Sequence, residues 1–144
     1  MTIKHILIAE DDSEMLIMMS DFLKTKGYMI STATTESQIN SVLNAKRVDL
    51  ILLDVMLGFE NGIQICQNIR RDSSIPIILV SALSADNQKM DGYDVGADDY
   101  ISKPFNPDLL LARLKAVMSR TGRTSSLVYR RKKEKYTFSS WQYD

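Results

Sequence analysis

Hydrophobic positions along this 144-residue chain alternate between short unbroken apolar runs and stripes spaced three and four residues apart. Residues 3–9 make a run too short for a helix and flanked by charge, which predicts a buried strand. Met15, Met18, Met19, Phe22 and Leu23 follow at i, i+3, i+4, i+7 and i+8, the stripe of an amphipathic helix. Gly27 is placed to stop that helix. Residues 28–33 predict a second strand, and residues 35–45 a weaker helix with Ile39, Val42 and Leu43 turned inward. Residues 48–53 predict the third strand, and residues 62–71 a helix carried on Ile65 and Ile69. Pro76 opens the fourth strand, 77–81, at a position where its missing amide costs least. Residues 86–95 predict a polar, weakly patterned fourth helix closed by Gly96, and residues 99–102 a short fifth strand. Asn106 and Pro107 supply a cap and a first-turn proline for a last helix running to about residue 121. Five strand–helix alternations with nearly continuous apolar strands predict an α/β fold, a five-stranded parallel sheet covered on both faces.

Charge divides the chain. Up to Ser119 there are 11 Lys and Arg against 16 Asp and Glu; from Arg120 onward there are 7 against 2. The formal net charge of zero therefore hides an acidic globular part and a basic tail, Arg130-Arg131-Lys132-Lys133-Glu134-Lys135. Such a run is usually a solvated linker. The expected organisation is one domain over residues 1–121, a basic linker over 122–135 and the start of a further domain over 136–144. In that last segment Tyr136, Phe138 and Trp141, separated by polar residues, look like strand material. A single cysteine excludes a disulfide framework and, with a single histidine, the usual zinc sites. No apolar run approaches the roughly 18 residues of a membrane helix, no signal-peptide pattern opens the chain, and a cytoplasmic location with no membrane partner is expected.

The chemistry gathers where the apolar runs end. Ile6-Leu7-Ile8-Ala9 runs into Glu10-Asp11-Asp12, Leu50-Ile51-Leu52-Leu53 into Asp54, and Tyr100-Ile101-Ser102 into Lys103-Pro104. In an open parallel sheet, ligands bind outside the carboxyl ends of the strands. Glu10, Asp11 and Asp54 brought together there repel unless a cation lies among them, and with no histidine or thiolate present the ion is hard. Mg²⁺ fits best. Lys103 adds a compact positive charge, Ser81 a hydroxyl donor, and the small Ala82 leaves the approach to Asp54 open. Phosphoryl transfer needs mainly positioning and charge neutralisation, and this set offers both.

The segments "ILIAEDD", "VDLILLDVMLGFENG", "IPIILVSA" and "GADDYISKPF", with the 27-residue step from Asp54 to Ser81, resemble the receiver domain of two-component response regulators. The resemblance covers residues 2 to about 120 and is most like the OmpR/PhoB class. It implies a flavodoxin-like (βα)5 doubly wound fold, with Asp54 as phosphoacceptor. Asp11 would be a direct Mg²⁺ ligand, Glu10 a ligand through water and the Met56 backbone carbonyl a third protein ligand. Ser81 and Lys103 would bind phosphoryl oxygens, and Ser81 and Tyr100 would form a switch pair. Two residues depart from the family pattern. Gly58 stands where proline is usual, which suggests a more mobile loop after Asp54. Ser81 stands where threonine is commoner.

Other residues read more plainly. The methionines of the first helix are core filler and Cys66 an inert buried thiol; His5 is structural or exposed. Tyr100 alone would pass for a sheet-edge aromatic. The resemblance implies a histidine kinase as phosphodonor and a homodimer formed on phosphorylation. It places the dimer face on the fourth helix, fifth strand and last helix, with Lys89, Asp94, Asp98 and Asp99 on one side and Arg113, Lys115 and Arg120 on the other. Leu109 replaces the acid usual at its position, which makes that face more apolar. DNA would be reached only through a winged-helix domain after the linker. A phosphohydrolase of the aspartyl-phosphate kind needs a second acid two residues past the nucleophile, where Met56 stands, so the chain reads as a phosphoacceptor and not an enzyme. A flavodoxin-like cofactor binder lacks its phosphate loop, and a stand-alone receiver that docks to a partner protein is the alternative.

Overall fold

The computed structural model describes residues 3–82 and 96–120. Five strands, β1 (His5–Ala9), β2 (Met29–Ala33), β3 (Leu50–Asp54), β6 (Ile77–Ser81) and β7 (Asp99–Ser102), form one sheet in the order β2-β1-β3-β6-β7. All neighbouring pairs in it are parallel. A two-rung antiparallel hairpin, β4 (Met56–Leu57) with β5 (Glu60–Asn61), follows β3. The described helices are α1 (Ser13–Thr25), α2 (Glu36–Ala45), α3 (Gly62–Arg70) and the last helix, α4 (Pro107–Arg120).

The continuous apolar runs occupy the central strands, where every residue of β1, β3 and β6 is buried. Because side chains alternate along a strand, each run feeds two cores. Leu7, Ala9, Ile51, Leu53, Ile77 and Leu79 meet Ile39 of α2 and Ile65, Cys66 and Ile69 of α3. Ile6, Ile8, Leu50, Leu52 and Ile78 meet Met19 and Leu23 of α1 and Leu110, Leu114 and Val117 of α4. The apolar stripe expected on the first helix lies wholly in this second core. Burying each such side chain contributes roughly 1.5–3 kcal/mol. The edge strand β2 is only partly covered, as its mixed sequence MISTA suggests.

Local chemistry sets where the helices begin. Asp12 caps α1, its side chain accepting from the Glu14 and Met15 amides, so the third acid of the Glu10-Asp11-Asp12 run is spent on the helix. Thr35 caps α2 and Asn61 caps α3 in the same manner. His5 proves buried and structural, its ring bonded to the Arg47 carbonyl at 2.8 Å and the Ser31 hydroxyl at 2.7 Å. Cys66 is buried, and burial pushes its thiol up to about 11.

One expectation is corrected. The third strand is shifted to Leu50–Asp54, so Asp54 belongs to the strand, and the Val55 amide extends the ladder by donating to the Val80 carbonyl at 2.8 Å. The segment after Asp54 forms the β4–β5 hairpin. Gly58 takes φ +63°, a left-handed value that proline's ring forbids, and so turns the chain back on itself. The expected fourth helix over residues 86–95, with Lys89 and Asp94, lies outside the described residues, as do the linker 122–135 and the segment 136–144.

Candidate functional site

Strand register brings the acids and the lysine to one edge of the sheet. β1 lies beside β3 with Ala9 opposite Leu53, so Glu10 and Asp11 emerge beside Asp54. Asp54 pairs with Val80 across β3 and β6, and Ser81 pairs with Ser102 across β6 and β7, which carries Lys103 to the same edge. The Lys103 amide donates to the Ser81 carbonyl at 2.6 Å, and the Lys103–Pro104 peptide is cis.

One oxygen from each of Glu10, Asp11 and Asp54 falls within 4.8 Å of the others. Glu10 is 1% exposed and Asp54 5%, while Asp11 is open to solvent. The Lys103 ammonium spans the pair, donating to Glu10 Oε1 at 2.8 Å and to Asp54 Oδ2 at 3.1 Å. The other Asp54 oxygen, Oδ1, accepts from the Met56 amide at 3.0 Å, and Glu10 Oε2 accepts from the Asp12 amide at 3.1 Å.

The electrostatics follow from this crowding. Burial, and then the neighbouring Asp54 carboxylate, push Glu10 from its ordinary 4.5 to about 7; Lys103 and the Asp12 amide keep it from rising further. Burial pulls the Lys103 ammonium down, but its bonds to Glu10 and Asp54 outweigh that and hold it above its ordinary value. The donor set consists of carboxylate oxygens, two of them buried, and it fits a hard divalent ion of the Mg²⁺ type.

Ser81 ends β6 and is buried at the same sheet edge. Tyr100 is 4% exposed and belongs to the core between the sheet and α2–α3, so its ring lies inward in this structure. Met56 contributes its amide to Asp54, while its side chain is exposed. The structure also shows partners for the residues of the expected dimer face. Asp99 accepts from Arg113 Nη1 at 2.8 and 3.1 Å, and the Asp98 carboxylate from Arg70 Nη2 at 3.0 Å. Arg120 donates to the Asp98 carbonyl at 2.8 Å. Of the charges expected on that face, Asp99 and Arg113 are thus paired with each other within one chain. Lys115 and Leu109 are exposed on α4.

The roles of three further residues escaped the sequence reading. Gly62 sits so close under β3 that a Cβ there would overlap the Asp54 carbonyl oxygen. Glu60 reaches from β5 to the start of α2. Arg70 gathers the Gly96 and Ile75 carbonyls and the Asp98 carboxylate at the opposite end of the sheet. Asn61 before Gly62 is a helix-start signal that could have marked this turn; the bonds of Glu60 to Glu36 and of Arg70 to Gly96 and Asp98 join residues 24 or more positions apart and carry no local mark.

Residues 6–115 match the family model of the response regulator receiver domain. The chain is 43% identical over 122 residues to the phosphate regulon transcriptional regulatory protein PhoB of Pseudomonas aeruginosa, covering 83% of this chain and 53% of that protein. It is 44% identical over 118 residues to the transcriptional regulatory protein YvrH of Bacillus subtilis, covering 81% and 49%. The chain thus spans about half the length of these relatives. Among solved structures it is similar to the BeF3-activated receiver domain of DrrB, at 32% identity and a TM-score of 0.75, covering 83% of this chain and all of that one. It is also similar to the receiver domain of the TMAO respiratory system regulator TorR, at 32% identity and a TM-score of 0.77, covering 81% and 98%. Fold, motif order and relatives agree: the chain belongs to the response regulator receiver domains, in their OmpR/PhoB class.

Proposed function

We propose that this domain is a phosphorylation-controlled switch that accepts a phosphoryl group on Asp54 from a histidine kinase. The observation that carries the reading is the Lys103 ammonium bonded at once to Glu10 and Asp54 beside a third carboxylate, Asp11. An Asp54 oxygen attacks the phosphorus of the donor, the bond to the leaving histidine nitrogen breaks, and an aspartyl phosphate remains. Lys103 then exchanges part of its carboxylate contacts for phosphoryl oxygens, and the Ser81 hydroxyl serves another. Asp11, Glu10 (through water), Asp54 and the Met56 carbonyl would hold Mg²⁺, which supplies neutralisation of the phosphoryl charge. The methionine two residues past Asp54 has no proton to give or take, which favours a phosphoacceptor with slow hydrolysis over a phosphohydrolase.

The relatives, two transcriptional regulators of whose length the match spans about half, support an output in transcription. In the full-length protein the receiver would control transcription through a winged-helix DNA-binding domain that begins after the linker, in the cytoplasm, after forming a phosphorylation-dependent homodimer. Ser81 and Tyr100 would be the switch pair. The dimer face would use Lys89, Asp94, Asp98, Asp99, Arg113, Lys115 and Arg120. Since Asp99–Arg113 is closed within one chain, dimerisation exchanges that pair for one across the interface and gains little from it.

Incubation with acetyl phosphate and Mg²⁺, followed by intact mass measurement, tests the core of the reading. One added phosphoryl group is expected in the wild type and none in Asp54→Asn. Equal labelling of the variant would overturn the assignment.

A further inference from the structure

The β4–β5 hairpin has two rungs, Met56 opposite Asn61 and Leu57 opposite Glu60, and its tip residue Phe59 is fully exposed. So short a ladder has little stability of its own. Leu57 anchors one strand in the core, and Asn61 is engaged as the cap of α3. Glu60 provides a further tie. Its Oε1 accepts from the Glu36 amide, at the first turn of α2, at 2.7 Å. That amide is one of the donors a helix start leaves without an intrahelical partner, and the positive end of the helix dipole favours a carboxylate there. Glu36 continues the connection, its Oε2 accepting from Asn68 Nδ2 of α3 at 2.9 Å. Hairpin, α2 and α3 are thus bracketed by one chain of hydrogen bonds.

What the bracket holds is the rim of the carboxylate site. The hairpin turn lies against Asp11, since a Cβ on Gly58 would stand 3.6 Å from Asp11 Oδ2. The first hairpin residue, Met56, donates its amide to Asp54 Oδ1 at 3.0 Å. Its carbonyl is the backbone ligand of the reading above, on which this inference rests. We propose that Glu60 is a positioning residue for the cation end of the site: by accepting from the first-turn amide of α2 it fixes the hairpin, and with it the Met56 carbonyl and the wall beside Asp11. Its contribution is an acceptor at a fixed place and not a charge delivered to the ion, because its bonded oxygen is turned to α2.

Mg²⁺ titration by calorimetry on the 144-residue chain tests this, with Glu60→Ala, Glu60→Gln and thermal unfolding of each. Glutamine keeps an acceptor for the Glu36 amide and loses the charge; alanine loses both. Glu60→Ala is expected to weaken Mg²⁺ binding on the order of tenfold, and Glu60→Gln to restore most of that loss. Unfolding temperatures well above that of the titration in all three chains show that the affinities compared are those of folded protein. Wild-type affinity in Glu60→Ala, or equal losses in both variants, overturns the positioning role. A wild-type chain that binds no Mg²⁺ overturns the site reading itself, a result distinct from either.

Discussion

Glu10 is kept buried beside Asp54 at a cost in stability, and the cost depends on pH. In the metal-free folded chain its carboxyl releases its proton only near pH 7, against an ordinary 4.5, because burial and Asp54 disfavour the ionised form. Below pH 4.5 folded and unfolded chains both hold the proton, and the group is neutral to stability. Between 4.5 and about 7 the folded chain retains a proton that the unfolded chain has lost, so raising the pH favours unfolding. The loss is complete above about pH 7. At about 1.4 kcal/mol per pH unit the bound is roughly 3 kcal/mol. Asp11 is open to water at the cluster, and that screening lowers the expected value to about 1–2 kcal/mol. Glu10→Gln removes the titration. Its carboxamide, like the protonated carboxyl, offers a single carbonyl to Lys103 or the Asp12 amide, so the two proteins match most closely at low pH. The two stability curves should therefore move apart as pH rises: nearly equal at pH 5, the variant more stable than wild type by about 1–2 kcal/mol at pH 8. Urea unfolding in EDTA from pH 5 to 8, followed by circular dichroism, gives the difference directly, since groups away from Glu10 titrate alike in both proteins. A difference between variant and wild type that stays constant with pH, or moves in wild type's favour as pH rises, refutes the reasoning.

Gly62→Ala should cost about 3 kcal/mol or more in urea unfolding and reduce labelling of Asp54, because its Cβ meets the backbone of β3 and stands 2.8 Å from Val55 Cα; stability within 1 kcal/mol of wild type would show that α3 can move aside freely. Cys66 should resist iodoacetamide at pH 8 until the chain is unfolded in urea, since burial holds its thiol up to about 11; rapid native alkylation would contradict that burial.

The sequence by itself determined the alternation of strands and helices, because an unbroken apolar run and a three-four stripe each suit one backbone period and one kind of burial. It also determined the chemistry at the strand ends, since Glu10, Asp11, Asp54 and Lys103 each follow such a run, and the helix caps at Asn106 and Pro107. Tertiary structure decided what depends on neighbours far along the chain. Parallel register alone brings Lys103 within bonding distance of Glu10, 93 residues away, and of Asp54. The same packing joins Asp99 to Arg113 within one chain, where charge pattern alone left both free to seek a partner. The hairpin after Asp54 lies between these cases. Glycine at position 58 was legible as freedom, but the sign of its φ and the tie from Glu60 to α2 turn that freedom into a fixed rim. A residue's period along the chain selects its element and its face. Which oxygen meets which ammonium is a matter of through-space distance, and sequence spacing carries no record of it.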